Sequence, residues 1–363
     1  MRILRVAQKI YPEFKGGGAY HVHALSRDQA AMGHDVTVLT VDHEHGERRT
    51  EQRNGYTLVS YPSTVTLFGN ALSAGVARYF ATTGKFDVVH AHSHLYFSTN
   101  LAAVRRLVGR PPLAITNHGL YSQTVPEHVF EGYLRTFGRL TFDCADRVFC
   151  YSEAEQSRLR DYGVDTNIAV VPNGIDQDRF EPTGPIHPEM DTDGKVILFV
   201  GRLVEGKRPK ATLDAFQSVA ATHEESRLYV VGDGPQRERL EARAISADIK
   251  ERVTFLGHVS YDDMPSVYRG ADVLVLPSRT EGVPRTILEA MASGVPVVAS
   301  SLPQLDPVVG DGGELVPIGG DLESAIDRVL TDPSTYDPGR AAEKYAWEQT
   351  VQATTEYLER LQQ

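Results

Sequence analysis

Short β-branched apolar runs alternate with longer amphipathic stretches from one end of this chain to the other, and that rhythm leaves few folds open. Residues 3–6, 35–41, 87–92, 113–117, 147–151 and 168–171 are predicted strands, with helical patterns over 19–32, 70–82, 97–108, 129–143 and 153–162 between them. Strand, helix, strand in that order builds a parallel sheet with helices on both faces. The rhythm pauses at Pro172-Asn-Gly-Ile-Asp176 and through the Pro-, Asp- and Gly-rich stretch 181–194. It restarts with predicted strands at 195–200, 227–232, 252–256, 272–276 and 295–300, and helices at 208–222, 236–247, 261–269, 286–293 and 322–330. The expectation is an α/β protein of two Rossmann-like, doubly wound parallel-sheet domains, 1–180 and 181–346. They are expected to face a cleft lined by the carboxyl ends of the strands. Residues 341–363 form one further helical pattern starting near Trp347, and periodicity alone leaves open which domain it packs on.

Composition narrows the class. At 363 residues two domains are the default, and 41% hydrophobic with 23% charged residues describes a globular chain. No run reaches the roughly 20 apolar residues of a membrane helix. The N-terminus reads as a buried strand rather than a signal peptide, and Cys144 and Cys150 as reduced thiols, so a cytoplasmic protein is expected. A net charge of −11 argues against nucleic-acid binding. Arg105, Arg106 and Arg110 cluster locally. A solvated helix face explains them most simply, and peripheral association with the inner, cytoplasmic face of a membrane stays open.

The chemistry concentrates in Glu281-Gly-Val-Pro-Arg-Thr-Ile-Leu-Glu289, which runs on to Gly294. Glu281 lies in a polar turn and Glu289 inside a helix for which Pro284 suits the first position and Gly294 the exit. The helix start offers free amides around Gly282 and Val283 and a positive dipole end, a seat for an anion, while Glu289 can accept from a diol. A phosphorylated, polyhydroxylated ligand such as a nucleotide sugar fits that set. The reading needs Glu281 open to the ligand, not locked in a structural ion pair. Arg202 and Lys207 follow the first strand of the second domain, where two cations could hold a diphosphate; plain surface charges are the alternative. Gly232-Asp-Gly234-Pro235 is a tight turn able to lie against a ribose or phosphate. In the first domain, Gly16-Gly17-Gly18 leads into a helix, and His118 sits at a strand end beside Gly119.

Several chemistries are absent from the pattern. There is no Gly-x-Gly-x-x-Gly dinucleotide fingerprint, no Gly-x4-Gly-Lys-Ser/Thr phosphate loop and no Gly-x-Ser-x-Gly elbow. No cluster has metal-ligand spacing; Asp191-Thr-Asp193 falls in the predicted linker. A glycosidase would need a second acid across the bond, for which Glu289 is poorly placed if it holds a ribose.

Taken together, Gly16-Gly17, Gly33-His34-Asp35-Val36-Thr37-Val38, Pro172-Asn-Gly-Ile-Asp176, Gly201-Arg202, Gly232-Asp-Gly-Pro235, Leu256-Gly257-His258-Val259, Ala271-Asp272, Pro277-Ser278 and Glu281…Glu289-Ala-Met-Ala-Ser-Gly294 resemble glycosyltransferase family 4 across essentially the whole chain. The resemblance implies a retaining, nucleotide-sugar-dependent enzyme of the GT-B fold. By that resemblance the donor would be a UDP- or GDP-sugar, with no metal or other cofactor required. The acceptor hydroxyl belongs to a glycan, a lipid-linked sugar or a small molecule, and its contacts are expected in the variable loops 42–61 and 121–132. It further implies that Glu281 holds sugar hydroxyls, Glu289 the ribose, and Arg202 with Lys207 the diphosphate, which Gly17 and Gly18 touch from the first domain. His118 would lie near the reacting face of the sugar, and Val259 would contact the base through its backbone. The last helix, from about 347 to 363, would cross back to the first domain. Pro284 and Arg285 depart from the small and apolar residues usual in the motif; Pro284 offers no N–H, and Arg285 bears on donor preference. A nucleotide-sugar epimerase or a glycosyl phosphorylase of the same layout, and a non-catalytic nucleotide-sugar-binding protein, are the competing readings.

Overall fold

The structure is a computed structural model and describes residues 1–42, 46–67, 69–84, 86–109, 111–121 and 127–363. Two compact units emerge, Met1–Pro172 with Gln349–Gln363, and Asn173–Glu348. The expected acceptor loops fall partly outside the described residues, at 43–45 and 122–126, as does Arg110.

The first unit contains β1 (Arg2–Val6), β2 (Asp35–Asp42), β3 (Arg49–Arg53), β4 (Tyr56–Pro62), β5 (Val65–Leu67), β6 (Asn70–Leu72), β7 (Val88–His92), β8 (Leu113–Thr116), β9 (Arg147–Cys150) and β10 (Ile168–Val170). Eight of them form a sheet in the order β10-β9-β8-β7-β1-β2-β4-β3, while β5 and β6 pair as a hairpin. All neighbours in the sheet are parallel except β3 against β4. Continuous apolar runs make central strands, since both faces are covered. Val76, Phe80, Ala102, Ala103, Phe130 and Phe142, from the helices that follow β6, β7 and β8, pack on one face. Val22 from the helix Gly17–Ala31 and Leu358 from the last helix, Trp347–Arg360, pack on the other.

The second unit contains β11 (Val196–Val200), β12 (Arg227–Val231), β13 (Val253–Gly257), β14 (Val273–Leu276), β15 (Val297–Ser300) and β16 (Gly313–Val316), all parallel in the order β13-β12-β11-β14-β15-β16. The direction in which successive strands are added across the sheet reverses between β11 and β14, and in the first unit between β1 and β7, the strands themselves staying parallel. In open parallel sheets the loops leaving the carboxyl ends at such a reversal diverge and open a crevice.

Several elements differ from the sequence expectation. Residues 42–61, expected as loop, hold β3 and β4. β3 reads Arg-Thr-Glu-Gln-Arg and is polar because it is a solvent edge. The helix expected from 70 starts at Ala74, because Ser73 caps it by accepting from the Val76 N–H and frees 70–72 to pair with β5. β16 was not expected; it contains a glycine and is only partly buried. The units divide at Pro172/Asn173 rather than at 180/181, because the intervening backbone bonds into the second unit. Ile175 N–H donates to Tyr345 O, Trp347 N–H to Ile175 O, and Gln177 to Ala342 O.

Candidate active site

In the second unit, Gly201 and Arg202 leave β11, and Pro277 to Pro284 leave β14, the two strands flanking the reversal. Backbone bonds lock the loops together: Arg279 N–H donates to Gly206 O at 2.8 Å and Leu203 N–H to Asp233 O at 2.9 Å. Gly232 is what allows the approach. Its φ is +124°, and a Cβ there would stand 2.0 Å from Gly201 O. Gly234 has the same role against Leu203 O at 2.7 Å.

Lys207 and Glu281 meet in these loops, the ammonium bonded to Glu281 Oε1. Both are sheltered, with 14% and 3% of the side chains exposed. Glu281 is therefore ion-paired, and not open as the sequence reading required. Its partner, however, is the cation expected on the diphosphate, so the pair lies inside the candidate site. Gln304 fixes the turn by donating to Glu281 O at 2.5 Å. Arg202 is exposed, and its guanidinium has no hydrogen-bond or ion-pair partner among the described residues. Gly282 and Val283 are buried, and Val259 is half-buried just after β13.

The helix Arg285–Ala292 starts one residue later than Pro284 suggested: Pro284 is the N-cap, with ψ 125°. Gly294, at φ +77°, closes the far end. Glu289 is buried and both its oxygens are engaged. Tyr268 donates to Oε2 at 3.0 Å and Arg285 Nε to Oε1 at 3.3 Å. Arg285, itself 6% exposed, also donates to Gly174 O and Tyr261 Oη, both at 2.8 Å, and stacks near Trp347. Burial, then the neighbouring Glu289, pushes the Tyr268 hydroxyl well above the usual tyrosine range, so it stays a donor. The motif pattern singles out Arg285 as a departure, but nothing in it points to Tyr268, Tyr261 or Gln304.

In the first unit, Gly17 and Gly18 begin the helix that follows β1. A Cβ on Gly18 would touch His118 Nδ1 at 3.6 Å. His118 follows β8, and both ring nitrogens are bonded: Nδ1 to Tyr151 Oη at 2.7 Å, Nε2 to His92 Nδ1 at 3.0 Å. His21 packs edge-on to His92 and His118. Behind His92, His90 Nε2 bonds Thr116 Oγ1 at 2.7 Å and its Nδ1 meets Arg5 Nη2 at 3.4 Å. Burial pushes His118 down to about 4, and burial with neighbouring positive groups holds His90 and His92 well below the usual range. These imidazoles are neutral at pH 7. His92 Nε2 is buried with no hydrogen-bond partner among the described residues. His118 was expected from its strand-end position, whereas His92 and Tyr151 were not. The alternation His90-Ala-His92, which sets two imidazoles on one face of a strand, was the available signal.

Among the described residues no group of His, Cys, Asp or Glu is placed to hold a metal ion. Nor is any helix long and apolar enough to cross a membrane.

Residues 15–179 match the family "Glycosyltransferase Family 4", and residues 186–346 match "Glycosyl transferases group 1". The phosphatidyl-myo-inositol mannosyltransferase of Mycobacterium tuberculosis is 30% identical over 322 residues, which cover 85% of this chain and 81% of that one. A glycosyltransferase of Methanocaldococcus jannaschii is 28% identical over 98% of this chain and 97% of its own. Among solved structures, the sucrose-phosphate synthase of Thermosynechococcus elongatus superposes with a TM-score of 0.82 at 22% identity, covering 99% and 98% of the two chains. Anabaena HepE in complex with UDP-glucose gives 0.80 at 21%, covering 99% and 100%. The fold is thus that of the GT-B glycosyltransferases.

Proposed function

The chain belongs to glycosyltransferase family 4 and is a glycosyltransferase, and on that premise we propose that it moves a sugar from a UDP- or GDP-sugar to an acceptor hydroxyl with retention at the anomeric carbon. The acceptor is a glycan, a lipid-linked sugar or a small molecule. The reading rests on the sheltered Lys207–Glu281 pair, set where the loops from β11 and β14 meet.

Departure of the nucleoside diphosphate puts negative charge on phosphate and positive character on the sugar. Lys207 and the exposed Arg202 answer the first, helped by amides at the start of the helix Arg285–Ala292. An ammonium has three donors, so Lys207 can bond phosphate oxygens while keeping Glu281 oriented. Glu281 in turn accepts from sugar hydroxyls. The leaving phosphate accepts the acceptor's proton on the face it vacates, so no protein base is required and configuration is retained. His118, neutral and beside Gly18, is assigned to the sugar; both its ring nitrogens are already bonded, so a sugar hydroxyl would take the place of Tyr151 or His92 as its partner. Glu289 is assigned to the ribose. Its oxygens are already engaged, so the ribose competes with or extends the Arg285–Tyr268 set. Gly17 is assigned to the diphosphate, Val259 to the base, and Gly234 to the ribose or phosphate. No metal is needed, because fixed cations do its electrostatic work.

UDP- and GDP-sugars supplied with candidate acceptors test this. Free nucleoside diphosphate is expected only with acceptor present, with one anomeric configuration preserved in the product by NMR. Glu281→Gln is expected to bind donor and fail to transfer. An inverted product, or full transfer by Glu281→Gln, would overturn the reading.

A further inference from the structure

Past the carboxyl ends of β14, β15 and β16 the second unit contains a pocket of about 320 Å³, lined by none of the residues assigned to donor or acceptor. That volume lies at the lower end of the range for small-molecule sites. β14 and β15 pair with Leu276 beside Ala299, so the residues that follow, Pro277 and Ser300, stand side by side in its wall. The helices Pro209–Thr222 and Leu322–Thr331 both begin at it.

Three groups lining this pocket are left unanswered by the protein. Arg208 is half-buried and makes no ion pair among the described residues; its guanidinium donates only to Pro277 O, from Nη1 at 3.3 Å. Ser300 is 2% exposed, and its hydroxyl has no partner among the described residues. A buried hydroxyl left unpaired is unfavourable, and a ligand oxygen would satisfy it. Glu323 is exposed and also without a partner among the described residues. The other acids of the wall are already engaged. Asp214 accepts from Lys210 at 2.5 Å and Arg243 at 3.0 Å, and Asp321 from the Ser324 N–H at 2.9 Å and hydroxyl at 2.6 Å. Arg208 is also left-handed, φ +52° and ψ +45°, which a non-glycine residue keeps where its surroundings demand it. That turn sends consecutive side chains to two places, Lys207 to Glu281 and Arg208 to the pocket. The helix that Arg208 precedes has no side-chain cap, so its positive end adds to the guanidinium.

We propose that this pocket is a second ligand site, for a small phosphorylated polyol of about hexose size. Phosphate oxygens take the Arg208 guanidinium and the Ser300 hydroxyl, while Ser218 and Glu323 accept from the ligand's hydroxyls. A neutral sugar would leave Arg208 unanswered, and bare phosphate would leave Glu323 so. The site lies within the second unit alone, and the inference does not rest on the donor assignment.

Isothermal titration of the full chain with glucose 6-phosphate, with glucose and with inorganic phosphate is the test. The sugar phosphate is expected to bind roughly tenfold or more tighter than either fragment. Ser300→Ala is expected to weaken it about tenfold, with an equal or higher melting temperature, because it removes a buried hydroxyl that no protein group answers. Arg208→Asn, a residue that tolerates left-handed backbone, is expected to weaken the sugar phosphate by a similar factor and leave glucose unchanged. Saturating UDP or GDP is expected to leave the titration as it was. Wild type that does not bind the sugar phosphate, variants that bind it as wild type does, or displacement by UDP or GDP would overturn the inference. Displacement would give the phosphate to Arg202 and Lys207 instead. Since sugar transfer is not the readout, failure here and failure of the proposed function are separate results.

Discussion

Lys207 and Glu281 hold each other's charge in a setting that is nearly closed to water, and this governs what replacing either does. Lys207→Ala strands a buried carboxylate, so a loss of roughly 3–5 kcal/mol of stability is expected in urea titration. Lys207→Met combined with Glu281→Gln is expected to recover most of it, with transfer still lowered by about a hundredfold or more. A double variant as unstable as the single one would show that the pair does not couple. Protonation is governed by burial in the other cluster. His118 binds its proton only near pH 4 in the fold but near 6.5 unfolded, and His90 and His92 are shifted the same way. The unfolded chain therefore takes up more protons as pH falls from 6.5, and stability falls with it. Buried Glu155, raised to about 7, works in the opposite direction, one carboxyl against several imidazoles. The melting temperature is expected to drop between pH 7 and pH 5, and a flat or rising profile would contradict neutral histidines. Glu281 and Lys207 can be singled out in the sequence, the first by the polar turn before a helix and the second by its place just after a predicted strand. Tyr151 and His92 were not, since their partners come from other strands.

The helix Arg285–Ala292 shows how one element serves both the fold and the site. Arg285 ties it to Gly174, Tyr261 and Trp347 while pairing Glu289 four residues along. Arg285→Ala is expected to cost about 3–5 kcal/mol by leaving Glu289 buried and unpaired. Arg285→Ala with Glu289→Gln should cost markedly less, and equal urea midpoints for the two variants would refute the pairing. The helix was readable from its glycine exit and apolar spacing. Its network was not, because Tyr261, Tyr268 and Trp347 come from separate stretches of chain. The same distinction runs through the strands. Val-Ile-Leu-Phe-Val at 196–200 declares itself by apolar content, whereas β3 and β16 are edge strands whose pairing leaves little mark on composition.

At the scale of the molecule, doubled strand–helix alternation was enough to predict two doubly wound sheets, and the reversal points place the candidate residues in each. What alternation could not assign was the last helix, which starts in the second unit at Trp347 and from Gln349 belongs to the first. Leu358 is fully buried there, Thr350 Oγ1 donates to Pro172 O at 2.8 Å, and Gln29 Nε2 donates to Thr355 Oγ1 at 2.8 Å. Leu358→Ala is expected to destabilise the first unit by about 2–5 kcal/mol. Hydrogen exchange should show lost protection along Gly17–Ala31 and unchanged protection in β11 and β14; equal loss in both units would count against the assignment. Gln29 also bonds the fully buried Arg5, so the final helix closes over a charge that has nowhere else to go. On the ribosome this means that the unit begun first is finished last. Until residues 349–363 emerge, the surface around Val22, Ala114 and Phe149 stands open, and a chain stalled short of that point should be cut by protease in its older half.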